Sequence, residues 1–350
     1  MIETEKKIGI IGAGSFGTAI SNLIALNGKD VLLYSRNTDL IEKINQKRQH
    51  FGITISDHIE LTNDLEKVAK NCALIFPIIP SNSFREVIRQ LGPFLRPYHM
   101  LIHGTKGFGL KGITEPDLLD RRVKITRDNV CTMSEVIREE SVVVRIGCLS
   151  GPNLASEILD GQPTATVIAS QFSEVIKAGQ AVLNSTQFHV FGSLEILGAE
   201  LAGALKNIIA IGSGILGGMG LGKNIQAMLI TRGLTEMIRF GKAMGSESRP
   251  FLGTAGVGDL IATSTSKDSR NYTFGFRLGK GEAASEVITS MPELAEGART
   301  LKIARGLARH YKLHVPITEM LYNVIFENFD HQRALHYLMK YPYSVDVDFI

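Results

Sequence analysis

The sequence predicts two domains of different class: an α/β domain on a mainly parallel sheet over residues 1–193, and an all-helical domain over residues 194–350. Two patterns predict this. Short apolar runs alternate with helical periods through the first half, then strand-like runs stop near Leu194 and long helical periods take over. Length supplies the third observation, because 350 residues can bury two separate cores.

Taken in order, Lys7–Ile11 reads as a buried strand, a glycine-rich turn follows, and a helix over Ser15–Leu26 ends at Asn27-Gly28. Val31–Tyr34 is the second strand, and the apolar runs 73–79, 100–103, 142–146, 166–169 and 188–191 read as later ones. Beyond Ser193 the helical periods cover 195–211, 226–244, 300–311 and 317–326.

Composition narrows the class of function. Apolar residues at 44% and charged residues at 21% exclude wholesale disorder. A formal charge of +3 is close to neutral and carries no footprint for nucleic acid. Cys72, Cys131 and Cys148 are far apart, with no CxxC pair and no histidine at ligand spacing, so no metal site is expected. Three reduced thiols fit a cytoplasmic protein. The polar opening leads straight into a strand, which predicts neither signal nor transit peptide. The longest uncharged stretch, 207–222, contains six glycines and is too short to span a bilayer, so membrane insertion is not expected. Tandem repeats and low-complexity tracts are absent from the sequence.

The strongest motif is Gly12-Ala13-Gly14-Ser15-Phe16-Gly17. It follows a buried strand, opens a helix and precedes a second strand, which is the setting of a dinucleotide fingerprint. Gly12 permits the tight turn, Gly14 admits a pyrophosphate to the backbone, and Gly17 allows close helix–strand packing. The helix N-terminus adds unpaired N–H groups. At the end of the second strand stands Tyr34-Ser35-Arg36-Asn37, where an NAD-selective site carries Asp or Glu. A guanidinium in that place suits a 2′-phosphate, so NADP is expected to be accepted alongside NAD.

Further clusters fall beyond the carboxyl ends of strands, on the ligand edge of a parallel sheet. These are Ile79-Pro80-Ser81-Asn82, Gly104-Thr105-Lys106-Gly107 and Ser150-Gly151-Pro152-Asn153. Lys106 is placed for an anion. In the helix over 195–211, Ile196, Leu197, Leu201, Leu205, Ile208 and Ile209 form an apolar stripe, and Ala199, Ala202, Gly203 and Ala210 surround Lys206 on a second face. Lys206 reads either as a snorkelling packing residue or as a proton-transfer lysine whose pKa falls by desolvation. Asp259, in Gly256-Val257-Gly258-Asp259-Leu260, is a helix cap or a functional carboxylate. Arg270 beside Asn271, after Ser269, offers a planar fork and an amide to a phosphate dianion. Together these groups suffice for hydride transfer, which needs a cofactor, one proton donor or acceptor and substrate clamps.

With these blocks in order, the chain resembles bacterial-type NAD(P)-dependent glycerol-3-phosphate dehydrogenase from about residue 7 to residue 340. Glu296-Gly297 and Gly203-Ala204-Leu205-Lys206-Asn207 belong to the same pattern. The resemblance implies a Rossmann-like N-terminal domain and a C-terminal domain like that of 6-phosphogluconate dehydrogenase. It implies interconversion of glycerone phosphate and sn-glycerol 3-phosphate, the latter for glycerophospholipid synthesis, by a homodimer joined through the helical domain. By the same resemblance Lys206 transfers the proton, supported by Asp259, and Lys106, Gly151, Asn153, Asp259, Ser269, Arg270 and Asn271 surround the substrate. Ser15, Phe16, Arg36, Lys106, Ala155, Arg270, Leu294 and Glu296 would touch the cofactor.

Three departures stand out. Asn153 replaces a more usual Ser or Thr, Phe16 replaces Trp or Tyr, and the stretch 108–130 is longer than the family pattern, which suggests a solvated excursion. Two other readings stay open on sequence alone: a two-domain dehydrogenase for an unphosphorylated hydroxyacid, and a nucleotide sensor without turnover. Arg270-Asn271 argues against the first and Lys206 against the second.

Overall fold

The computed structural model describes residues 6–120, 122–291 and 295–340. They form two compact units. One holds the described residues up to Thr105 together with Thr132–Ile196; the other holds Lys106–Cys131 and the described residues from Leu197 onward. The excursion 106–131 thus leaves the first unit in sequence and belongs to the second.

The first unit is built on an eight-stranded sheet. In chain order its strands are β1 Lys7–Ile11, β2 Val31–Tyr34, β3 Ile59–Thr62, β4 Cys72–Pro77, β5 Met100–His103, β6 Arg145–Ser150, β7 Thr164–Ser170 and β8 Phe188–Ser193. Their spatial order is β8-β7-β6-β5-β4-β1-β2-β3. Every neighbouring pair is parallel except the antiparallel β6–β7. The chain walks outward from β1 through β2 to β3, then returns to the other side of β1 at β4. The crevice beyond the carboxyl ends of β1 and β4 is therefore the topological switch point, where such sheets bind ligands.

Helices cover the sheet: α1 Ser15–Leu26, α2 Thr38–Lys47, α3 Leu65–Asn71, α4 Ser81–Leu91, α5 Met133–Glu140, α6 Ala155–Leu159 and α7 Ser173–Leu183. Local chemistry starts several of them. Asn37 accepts from the Leu40 N–H before α2 and Asp64 from the Lys67 N–H before α3, while Thr132 and Glu135 form a capping box at α5. One expected strand moves. Val142 and Val144 are exposed, and β6 begins at Arg145, where Arg145 pairs with Met100 and Cys148 with His103. Register against β5, which local hydrophobicity does not encode, sets that start.

The second unit is helical: α8 Ile196–Gly218, α9 Lys223–Ala243, α10 Arg249–Leu252, α11 Asp259–Thr265, α12 Arg270–Gly279, α13 Ala284–Ser290, α14 Glu296–Tyr311, α15 Pro316–Phe326 and α16 His331–Lys340. Helix α8 is its core rather than a two-faced surface helix. Among the described residues it alone is long and apolar enough to cross a membrane, and 94% of its most apolar window is buried inside the fold. A stretch buried all round is what the centre of a helical domain requires.

Four glycines place α12 against α8. An added Cβ at Gly214 would stand 2.1 Å from the Tyr272 carbonyl oxygen, and at Gly218 2.1 Å from that of Phe276. In return, Gly275 would meet the Ile211 oxygen at 2.0 Å and Gly279 the Ile215 oxygen at 2.2 Å. Each helix thus presents glycines four residues apart, on one face, to the other's backbone. Further along the unit, the buried Glu236 carboxylate of α9 accepts from the Ile317 and Thr318 N–H groups and so caps α15.

The segment 108–130 is no solvated excursion. Gly109–Leu110 pairs with Val130–Cys131, Phe108, Leu118 and Val130 are buried in the helical core, and Ile125 packs on Gly306 of α14. Arg299 of α14 straps it down, donating to the Phe108 carbonyl at 2.6 Å and to Glu115 at 2.8 Å. The apolar side chains spaced along this segment, read locally as a charged loop, find their partners in the helical core and on α14.

The glycine seam predicts a size limit. Gly275→Ala should lower unfolding free energy by roughly 1–3 kcal/mol, the usual cost of overpacking. Urea denaturation measures it, and an unshifted midpoint would show that the helices do not approach this closely.

Candidate active site

The first unit carries a cradle at the switch point. Gly12 has φ +120°, and a Cβ there would strike the Ile78 carbonyl at 2.1 Å. A Cβ at Gly17 would meet the Gly12 oxygen at 1.9 Å, so helix and turn are in backbone contact. Gly14 has nothing within 4 Å of where a Cβ would be, and it precedes α1 without a side-chain cap. The first-turn N–H groups of α1 are therefore uncapped by any side chain, and no acidic residue lies in that turn. This turn fits a dinucleotide: two glycines close it and the third keeps it open to an anion. Phe16 lies across Gly104, whose added Cβ would meet the ring at 2.9 Å. Ser15 is the first residue of α1.

Arg36 follows β2 with an exposed side chain, and Asn37 beside it is committed to capping α2. Gly151 takes φ +146° just after β6, with the Thr166 Cα 3.1 Å from its would-be Cβ. Asn153 donates to Thr166 Oγ1 at 3.0 Å, and Thr166 in turn donates to the Ser150 carbonyl. The Asn153 Oδ1 is buried with no protein donor, an acceptor waiting for a hydroxyl or amide. Ala155 opens the short helix α6.

The second unit gathers the titratable groups. Lys206, on α8, is only 4% exposed, and Asp259, the first residue of α11, only 1%. Lys206 Nζ donates to Asp259 Oδ1 at 2.5 Å and to Thr263 Oγ1 at 2.5 Å. The other oxygen, Asp259 Oδ2, accepts from Lys106 Nζ at 2.6 Å. Asp259 is thus a bridge between two ammonium groups, and does not cap its helix. A π-helical turn over Thr254–Gly258 leads into α11, and Ser213 of α8 donates to the Ser264 carbonyl, holding α11 against α8. Burial drives the Lys206 pKa down to about 7, with Asp259 opposing and Lys106 adding to the fall.

The Arg-Asn pair opens α12. Ser269 caps that helix, accepting from the Tyr272 N–H at 3.2 Å, which leaves its own hydroxyl proton to donate. Arg270 is exposed at the helix N-terminus, where a cation opposes the dipole and marks a place for an anion. Asn271 is more occupied than the sequence suggests. Its Nδ2 donates to Asn207 Oδ1 at 3.0 Å and its Oδ1 accepts from the Gly297 N–H at 2.9 Å. It joins α8, α12 and α14, with one N–H left over. Glu296 starts α14 and acts on the Arg270 charge. Leu294 lies outside the described residues.

Three comparisons with known proteins bear on this geometry. Residues 7–176 match the family model for the NAD-dependent glycerol-3-phosphate dehydrogenase N-terminus, and residues 195–336 match that for its C-terminus. The chain belongs to this family. It is 38% identical over 346 residues to a glycerol-3-phosphate dehydrogenase [NAD(P)+] of Teredinibacter turnerae, covering 98% of this chain and 97% of that one. An Acinetobacter baumannii protein of the same name is 39% identical over 352 residues, covering 99% and 94%. Among solved structures, the glycerol-3-phosphate dehydrogenase of Coxiella burnetii superposes with a TM-score of 0.86 at 31% identity, covering 96% of this chain and 99% of that chain.

For this family member, two residues of the cluster escaped the sequence reading. Thr263 sits one helical turn beyond Asp259, so the i, i+4 spacing of an acid and a hydroxyl was the available signal. Asn207 adjoins Lys206, but its partner Asn271 is 64 residues away and only the fold joins them.

The buried lysine sets a pH dependence. Between about pH 7 and 10.5 the unfolded chain keeps the Lys206 proton while the folded chain has lost it. The unfolded state binds more protons there, so this group's contribution to stability rises with pH across that window. Relative to Lys206→Met, the wild-type unfolding free energy should gain up to about 1.4 kcal/mol per pH unit, by urea denaturation. A difference independent of pH would mean that Lys206 keeps an ordinary pKa.

Proposed function

We propose that this chain interconverts glycerone phosphate and sn-glycerol 3-phosphate, with Lys206 as the proton-transfer group and Arg270 at the head of α12 as the phosphate clamp. The carrying observation is the buried Lys206, its pKa near 7, fastened by Asp259 and Thr263. A group that titrates near neutrality suits proton transfer in both directions. The names of the relatives at 38–39% identity support the reaction and the use of either nicotinamide dinucleotide.

Reducing a ketone puts negative charge on its oxygen. The Lys206 ammonium donates its proton at that oxygen, and in the reverse direction the neutral amine takes the proton from the hydroxyl. Asp259 holds the amine in place, Thr263 fixes its direction, and Lys106 adds a second positive charge that favours the developing oxyanion. When bound, the nicotinamide supplies the two-electron reduction of the carbonyl carbon. Gly12, Gly14, Ser15, Phe16 and Gly17 would hold the dinucleotide, Arg36 would meet a 2′-phosphate, and Ala155, Lys106, Arg270 and Glu296 would complete its surroundings. Gly151 and the free Oδ1 of Asn153 would serve a substrate hydroxyl. Ser269, Arg270 and the remaining N–H of Asn271 would face the phosphate.

In this reading the α/β unit is the dinucleotide-binding domain and the helical unit the catalytic one. Cys72, Cys131 and Cys148 are buried and form no disulfide, which suits the reducing cytoplasm. Exposed Met228, Leu252 and Ile261 give the helical unit apolar surface for a homodimer to cover. The product is a building block for glycerophospholipids.

Lys206→Ala should lower kcat by roughly 10²- to 10⁴-fold while NADPH binding survives. Near wild-type turnover in the folded variant would make Lys206 structural. Wild-type enzyme, followed by nicotinamide absorbance, should oxidise NADPH at least as readily as NADH with glycerone phosphate and strongly prefer that ketone to dihydroxyacetone. Arg270→Ala should lower kcat/KM for glycerone phosphate by roughly two to three orders of magnitude and remove most of that preference. Equal wild-type activity on both ketones would overturn the phosphate clamp.

A further inference from the structure

A second polar site lies on the outer side of α14, under the segment 108–130. The cavity there measures about 410 Å³, within the range of small-molecule sites. Both walls come from the helical unit, and they share no residue with the Lys206–Asp259 cluster. Lys302, Arg305 and Arg309 stand at i, i+3 and i+7 on α14, so they line one helix face. Lys124 comes from the opposite wall, with Asp117 and Asp120.

The charges do not balance. Asp120 is held by Arg122, its neighbour two residues on, and Asp117 accepts from the Thr114 N–H at 2.7 Å and the Thr114 hydroxyl at 2.8 Å. Both carboxylates therefore serve their own segment. Glu319 takes the Arg305 Nε at 3.0 Å and lies 4.0 Å from Arg309, one carboxylate for two guanidiniums. Four cations, Lys124, Lys302, Arg305 and Arg309, thus outnumber the two carboxylates left to balance them, Asp117 and Glu319, because Asp120 is paired with Arg122. Burial lowers the Lys302 pKa, with Glu115 opposing, a cost that a bound anion would offset. Leu118, Val123 and Ile125 supply apolar wall between the charges, and the Arg305 guanidinium stacks on the Tyr322 ring, 3.7 Å from its centre.

We propose that this cavity binds a phosphorylated small molecule, its phosphate on the Lys302–Arg305–Arg309 face and Lys124, and its organic part on the apolar wall. Arginine forks and lysine point charges match the oxygens of a phosphate, and the volume exceeds what a bare ion needs. The wall bearing Lys124 exists because the lengthened segment is strapped to α14 by Arg299 and Ile125. The site is independent of the reaction proposed above.

The test uses the full chain and inorganic pyrophosphate as probe, reading by mass spectrometry the rate at which an amine reagent modifies Lys124 and Lys302. At a probe concentration ten times its Kd both rates should fall about tenfold, since only unliganded protein reacts. The protection should persist in Arg270→Ala and be largely lost in Arg309→Ala. No protection, equal protection by sodium chloride at the same ionic strength, or protection that disappears in Arg270→Ala would each overturn the proposal.

Discussion

The buried Asp259 carboxylate is the constraint around which the helical unit is arranged. It sits between two ammonium groups, so the cluster of Lys106, Lys206 and Asp259 carries one positive charge more than it can neutralise. Water would relieve that excess at the surface, but Lys206 is inside. Two outcomes remain: the lysine loses a proton near neutrality, or an anion joins the cluster. Both belong to the chemistry of a phosphorylated ketone.

Holding such a cluster requires rigid supports from several directions. The glycine seam brings the α12 backbone against α8, so Asn271 reaches Asn207, the neighbour of Lys206. Asn271 then fastens the start of α14, and Ser213 fastens α11. Lys106 arrives from outside the helical sequence, at the head of the segment 106–131, which Arg299 binds to α14. A conformational slip in any of these would leave a charged group buried without its partner, which is costlier than the loss of one hydrogen bond.

Much of this was legible beforehand for a physical reason. The fingerprint Gly12 to Gly17 reads locally because strand, turn and helix are consecutive, and each glycine answers a contact within that one motif. Strands β1, β2 and β5 and helix α1 were legible because continuous burial leaves a hydrophobic run. The start of β6 and the existence of β3 were not, since a short edge strand and a shifted register depend on which neighbour pairs. The segment 108–130 looked solvated because its buried side chains are spaced without a helical or strand period.

The sequence by itself determined the dinucleotide turn, the alternation that makes a parallel sheet, and the residue types of the proposed phosphate clamp and proton-transfer lysine. These depend on neighbours close along the chain. Only the tertiary structure decided that Lys206 and Lys106 share one carboxylate, that Asn271 is largely spent on holding helices together, and that the lengthened segment closes a basic cavity. Those relations join residues 26 to 191 positions apart, and a pKa set by burial or a charge left unmatched exists only once the fold has removed the water.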